Sequence, residues 1–282
     1  MKQCFFYWGG EKMPLLNAIT IISFKKYNPD YKIILYKPTV DFGTPTWGTH
    51  EQKIKYTGED YHYCIESLVD EIRYINLEDL GFSNQIHHSQ KADILRQWLL
   101  LNEGGWWSDM DIVWIKSISE FQLEGNFDLG VCWRNGYHGS GIMYSRPNTN
   151  FYKIIFDNLK RSFSPSDYQS VGPNILNRLF PGINHIENTE KNIKVHNFEL
   201  YNFAPWDSNI FPLLYQNGIY EDVITDEVYG IHWYNGGSSS GVFLNSFNID
   251  DIKNSEIIIY KIINSMVGID EILTYVNNGK QV

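Results

Sequence analysis

Short continuous apolar runs alternate with segments whose apolar positions recur at helical spacing. Residues 4–8 (Cys-Phe-Phe-Tyr-Trp) form one such run, halted by Gly9-Gly10, which predicts a strand and then a turn. Pro14 opens a segment in which Leu15, Ile19, Ile22 and Tyr27 share a helical face, and Asn28-Pro29-Asp30 stops it. Residues 32–36 predict a second strand. The opening is therefore β-α-β, as in α/β domains with a largely parallel sheet. Residues 41–67 are rich in Gly, Thr, Tyr and His and show no period, so a loop with at most a short helix is expected; residues 72–75 predict a third strand.

The most regular stretch follows. Residues 89–103 predict a helix with Ala92, Leu95 and Leu99 on its apolar face, ended by Gly104-Gly105. Trp106-Trp107-Ser108 then leads into Asp109-Met110-Asp111 and Ile112-Val113-Trp114, which puts the acidic pair at a strand end. Further strands are expected at 129–133, 141–144 and 229–233, helices at 150–163 and 171–180, and two amphipathic helices after Asp250. A Gly-Gly-Ser-Ser-Ser-Gly run at 236–241 follows the last strand, and His87-His88 reads as a helix start. The segment 257–267 is apolar but poor in Lys and Arg, which favours packing on the domain over docking on a membrane. With no repeat and no linker in 282 residues, a single domain is the economical reading.

Composition narrows the function. Asp and Glu number 33 against 23 Lys and Arg, a formal charge of -10, and no basic stripe exists to grip a nucleic-acid backbone. Aromatics at 16% suit a protein that handles ring-shaped ligands, although large cores use them too. Cys4, Cys64 and Cys132 are scattered and odd in number, so neither a disulfide framework nor a zinc site is expected. No signal-like segment, apolar run of membrane-spanning length or glycosylation sequon occurs, and the expectation is a soluble, cytoplasmic protein.

The acidic pair carries the chemistry. In an extended segment residues two apart project to one side, so Asp109 and Asp111 face one pocket while Met110 points back. Two adjacent carboxylates repel unless a cation lies between them, and oxygen ligation suits Mn²⁺ or Mg²⁺. Upstream, Asp93 and Arg96 lie three apart on one helical face. They form either an intrahelical ion pair or a pair that grips sugar hydroxyls and phosphate.

Taken together, Lys91-Ala92-Asp93-Ile94-Leu95-Arg96, Gly104-Gly105-Trp106-Trp107-Ser108 and Asp109-Met110-Asp111 resemble the DXD region of the family 32 glycosyltransferases. That family includes yeast-type mannosyltransferases, capsular polysaccharide transferases and the catalytic domains of clostridial glucosylating toxins. Weaker agreement runs through Trp8, residues 140–147, Gly172-Pro173 and His232-Trp233. The chain departs from the pattern at Ser108, at Gly139-Ser140 and over residues 42–67.

The resemblance implies a GT-A fold: a Rossmann-like nucleotide-binding sheet with the DXD at its edge, an acceptor-binding half and C-terminal helices. It divides the domain into a nucleotide-sugar half at 1–115 and an acceptor half at 116–282. By the same resemblance Trp8 stacks on the donor's base, Asp93 and Arg96 hold its sugar and phosphate, and Trp233 joins the donor site. Asp109 meets ribose or metal, Asp111 ligates the metal, and His232 is either a third ligand or a packed histidine. The implied reaction is metal-dependent, retaining transfer of a hexose from a nucleoside-diphosphate sugar, UDP-sugar favoured, to a glycan or glycolipid. Bacterial surface-polysaccharide synthesis is the first expectation for its setting, with association with the inner membrane face, and a toxin-like protein acceptor is the alternative. A non-catalytic nucleotide- or carbohydrate-binding module, a nucleotide-sugar hydrolase and a nucleotidyltransferase stay open. Asp207 and Glu227 are the carboxylates to consider for the sugar's opposite face.

Overall fold

The computed structural model describes residues 2–40, 55–123, 126–134, 136–198, 203–204 and 211–279. Seven strands form the main sheet: β1 (Gln3–Tyr7), β2 (Lys32–Pro38), β3 (Glu71–Ile75), β4 (Gly105–Ser108), β6 (Leu129–Arg134), β7 (Tyr137–Ser145) and β8 (Val195–Asn197). Their order is β3-β2-β1-β4-β7-β6-β8. The first four are mutually parallel, β7 runs antiparallel to both β4 and β6, and β8 is parallel to β6. A smaller sheet pairs β5 (Ile112–Trp114) with β10 (Gly230–His232) and β9 (Phe203–Ala204).

Why the first strands read as unbroken apolar runs is now plain. Cys4 and Phe6 enter one core and Phe5 and Tyr7 the other; Ile33 and Leu35 likewise oppose Ile34 and Tyr36. A sheet covered on both faces needs apolar residues at every position, not at alternate ones. The first core takes α1 (Leu15–Tyr27) and the C-terminal helices; the second takes α2 (His88–Asn102), α4 (Asn150–Ser162) and α5 (Pro173–Leu179). The short helices α3 (Ser119–Leu123) and α6 (Ile183–Glu187) fill out the chain between them.

Helix α1 is buried from Leu15 through Phe24, including three polar residues three apart, Asn17, Thr20 and Ser23. Their side chains turn to the chain that leaves β4. Asn17 Nδ2 and Thr20 Oγ1 both donate to the Met110 carbonyl, at 2.8 and 3.0 Å, and Ser23 Oγ accepts from the Trp114 amide at 3.0 Å. A buried carbonyl in an irregular turn must find donors somewhere, and α1 supplies two. The polar stripe thus fixes the path of the acidic segment between two sheets.

The α/β expectation holds, and the acidic pair follows the C-terminal end of β4, the central strand of the main sheet, not an edge strand. Residue 115 marks no break in the sheets, because β6, β7 and β8 extend the sheet begun by β1–β4. The Gly-Ser run at 236–241 is not merely a loop. It runs into a helix, α7 (Ser238–Ser246), whose Ser240 is fully buried. The C-terminal apolar segment packs inward: Ile258, Ile259, Ile262 and Ile263 join the first core across α8 (Ile258–Ile262) and a π turn ahead of α9 (Ile269–Gly279). All three cysteines are buried and none is in a disulfide. Among the described residues no helix is long and apolar enough to cross a membrane. Asp207 and most of the 41–67 stretch lie outside the described residues.

Candidate active site

Three backbone groups of the acidic segment have fixed partners. The Asp109 amide donates to Gly141 O on β7 at 2.8 Å, the Met110 carbonyl is clasped by α1, and the Trp233 amide donates to Asp111 O at 3.0 Å. The segment is thus tied at once to the main sheet, the first helix and the small sheet. On β10, His232 pairs with Ile112 of β5, which brings its ring alongside the carboxylates. Ligand atoms of Asp109, Asp111 and His232 all lie within 4.8 Å of one another.

Two subsets of partners divide the aspartates. Asp109 Oδ1 accepts from Trp107 Nε1 at 2.8 Å and faces Arg96 Nη2 at 3.4 Å. Asp111 Oδ2 accepts from the Asn235 amide at 2.8 Å, while Oδ1 lies 3.2 Å from His232 Nε2. That Oδ1 is buried yet receives no aligned hydrogen bond. Burial raises the Asp109 pKa, opposed by Arg96 and reinforced by Asp111. Burial also works against the Asp111 charge, but His232 and the Asn235 amide outweigh it and hold the carboxyl below the usual range. For His232 burial favours the neutral ring, and the two aspartates overcome it and raise its pKa. The electrostatics therefore favour positive charge between these three side chains.

Arg96 organises the upstream half of the site. Its Nη2 lies 2.8 Å from Asp93 Oδ1, its Nη1 donates to the Ser140 carbonyl, and its guanidinium sits 5.0 Å from the Trp107 ring centroid. Both members of the Asp93–Arg96 pair are about nine-tenths buried or more, so this is not the solvated helical ion pair that spacing alone allows. Gly172 backs the pair: a Cβ there would stand 2.5 Å from Asp93 Oδ2, so a side chain at the start of α5 would displace the carboxylate.

Burial pushes Asp93 up to about 7, with Arg96 opposing and Asp109 adding to the rise. The folded state then binds its proton more tightly than the unfolded chain does. Its contribution favours folding at acid pH and is lost as pH rises from about 4 to about 7. The expected result is a downward slope of unfolding free energy over that window, measured by urea titration, and a shallower slope in Asp93→Asn. An unchanged slope in the variant contradicts the assignment.

Trp8, Asp93, Arg96, Asp109, Asp111 and His232 all line one cleft of about 1040 Å³. Trp8 stands at the end of β1, next to the carboxylate end of β4, with its ring centroid 6.5 Å from that of His62. Trp233 is placed elsewhere: it is fully buried in the first core and absent from the cleft lining. Strand alternation gives the reason, since His232 faces the cleft and its neighbour must face the other way. His87 caps α2, its Nδ1 accepting from the Ser89 amide at 3.3 Å; both it and His88 line the cleft, and His88 Nδ1 meets Tyr7 Oη at 3.1 Å. Glu227 is exposed and outside the cleft lining.

Several residues of the site were not singled out by sequence reasoning. Trp107 had a usable signal: it is two residues before Asp109 in an extended segment, hence on the same side. Asn235 acts through its backbone amide, which no residue type announces. Tyr234 stacks on His232 with ring centroids 4.0 Å apart and planes at 20°, and gave no signal of its own.

Residues 17–128 match the family described as "Glycosyltransferase sugar-binding region containing DXD motif". No curated protein matches the chain by sequence. Among solved structures the chain is similar to the PaToxG glycosyltransferase, with 17% identity, coverage of 67% of this chain and 72% of that one, and a TM-score of 0.46. It is also similar to the galactosyltransferase LgtC in complex with donor and acceptor sugar analogs, at 11% identity, 61% and 71% coverage and a TM-score of 0.34. An active-site mutant of LgtC aligns at 11% identity over 86% of this chain and 95% of that one, with a TM-score of 0.40.

Proposed function

We propose that this chain, a glycosyltransferase by its DXD-containing sugar-binding region, moves a hexose from a nucleoside-diphosphate sugar to a glycan acceptor with a divalent cation. The observation that carries this reading is the convergence of Asp109, Asp111 and His232 beside Arg96 in one cleft. Two carboxylate oxygens and one imidazole nitrogen suit Mn²⁺ or Mg²⁺, and the buried Asp111 Oδ1 without an aligned donor is the kind of atom a cation satisfies. Asp109, Asp111 and His232 would hold the ion. When bound, it supplies charge stabilisation for a departing diphosphate.

The chain's own residues do the rest. Trp8 offers an aromatic face for the nucleobase at one end of the cleft. Arg96 keeps Asp93 and Asp109 in register and adds a fixed positive charge beside the diphosphate path. Asp93, protonated or charged around neutrality, is suited to receive or donate a hydrogen bond to a donor-sugar hydroxyl. UDP-sugars are the favoured donors, and the anomeric configuration is retained by front-side attack. Glycan or glycolipid assembly at the cell surface is the preferred setting.

The test is release of nucleoside diphosphate from UDP-hexoses and GDP-mannose with and without Mn²⁺, followed by the anomeric configuration of the product by NMR. Metal-independent release, an inverted product or a trapped glycosyl-enzyme adduct each contradicts a defined part of the reading.

A further inference from the structure

Among the described residues three non-glycine positions have positive φ: Asn148, Asn192 and Tyr234. Asparagine tolerates the left-handed region; a bulky aromatic rarely enters it, and such residues persist only where surrounding contacts over-determine them. At Tyr234, with φ of 52°, those contacts are visible. Its carbonyl accepts from the Gly237 amide at 2.9 Å and from Ser240 Oγ, and the turn it makes delivers the Asn235 amide to Asp111 Oδ2.

The turn by itself needs only a residue at ease with positive φ, which asparagine or glycine would supply. The ring is the part the turn does not require. It stacks on His232 and meets Phe211 at 83° with centroids 5.2 Å apart, forming an aromatic corner of the cleft that also holds Tyr137. Topology places this corner relative to the donor. Along the sheet Trp8 follows β1, Asp109 follows β4, and Gly141 and Tyr137 belong to β7, so β4 and the acidic pair separate Trp8 from the β7–β6 side.

We propose that Tyr234 is the aromatic contact of an acceptor subsite that takes a pyranose ring of a glycan, on the far side of the metal-binding cluster from Trp8. The proposal rests on the transferase reading above and names where that reaction's acceptor lies. Aromatic rings present an apolar face to the C–H face of a sugar and a polar edge to its hydroxyls. A ring stacked on the His232 imidazole would bring the acceptor hydroxyl next to the cation site.

The experiment compares wild type, Tyr234→Phe and Tyr234→Asn. Asparagine keeps the left-handed turn without the ring; phenylalanine keeps the ring. Saturation-transfer NMR is run with methyl glycosides of glucose, galactose, mannose and N-acetylglucosamine, with UDP or GDP and Mn²⁺ present. Nucleotide affinity is followed in parallel by thermal shift. The expected result is glycoside binding to wild type and Tyr234→Phe, weakened about 10-fold or more in Tyr234→Asn, a loss that clearly exceeds any loss of nucleotide affinity. Equal glycoside binding by Tyr234→Asn overturns the proposal. So does a parallel loss of nucleotide affinity, which assigns the ring to His232 alone, and so does wild type binding none of the glycosides. Failure of the underlying reading shows separately, as a wild type with no Mn²⁺-dependent response to either nucleotide.

Discussion

Asp111→Asn is expected to lower turnover by about 10²-fold or more at saturating Mn²⁺ and donor, equivalent to at least ~2.7 kcal/mol. The substitution keeps the shape of the side chain and an oxygen for the Asn235 amide, so the turn at Tyr234 survives. What it removes is the negative charge that the surroundings keep ionised, through His232 and the Asn235 amide and despite burial. A cation held by Asp109 and His232 alone is bound more weakly and sits less surely beside the leaving diphosphate. Steady-state kinetics over a Mn²⁺ titration checks this. Near-normal turnover at saturating metal excludes Asp111 from the chemistry.

Arg96→Ala should be the most damaging single change to the fold near the site. It strips the partner from a buried Asp93, unpairs Asp109 and leaves the Ser140 carbonyl without that donor. Removing one member of a buried ion pair is costly, about 3–5 kcal/mol, because the partner left behind must either stay charged in the interior or take up a proton, and its hydrogen bonds are lost. Arg96→Lys should recover little of this, since one ammonium cannot span three acceptors as the guanidinium fork does. The double variant Asp93→Asn, Arg96→Ala should regain part of the stability and none of the activity. Urea unfolding of wild type, Arg96→Ala, Asp93→Asn and the double variant closes the cycle and measures the coupling. Losses that simply add across the cycle would show that the pair does not interact in the way described.

Much of residues 1–115 was legible in the sequence because the signals there are local. The β-α-β opening and the Gly104-Gly105 stop depend on residues close in the chain, and the structure follows them; Asp109 and Asp111 do converge, but across a turn between β4 and β5 and not along an extended strand. The clasp from α1 was hidden for a different reason. Asn17, Thr20 and Ser23 look like interruptions of an apolar helix until the Met110 and Trp114 backbone groups are seen against them. The strands at 112–114 and 229–233 were legible, but their pairing across more than a hundred residues was not, and the two-residue β9 carries no period. Trp233 was misplaced because a motif read as a pair ignores strand alternation, which sends adjacent residues to opposite faces. Helix α7 was missed because Ser and Gly lower helix propensity, and here burial of Ser240 and Phe243 outweighs it.

The central claim, a cation-dependent nucleotide site built on Asp109, Asp111 and His232, is tested most directly by thermal stabilisation. Wild type and Asp111→Asn are compared with UDP, GDP and CDP, each with and without Mn²⁺. At a ligand concentration about 100 times Kd, binding adds about 2.7 kcal/mol to stability. The predicted result is a clear shift with one nucleotide, present only with Mn²⁺ and abolished in the variant. A response indifferent to Mn²⁺, one that persists in Asp111→Asn, or none to any nucleotide contradicts it.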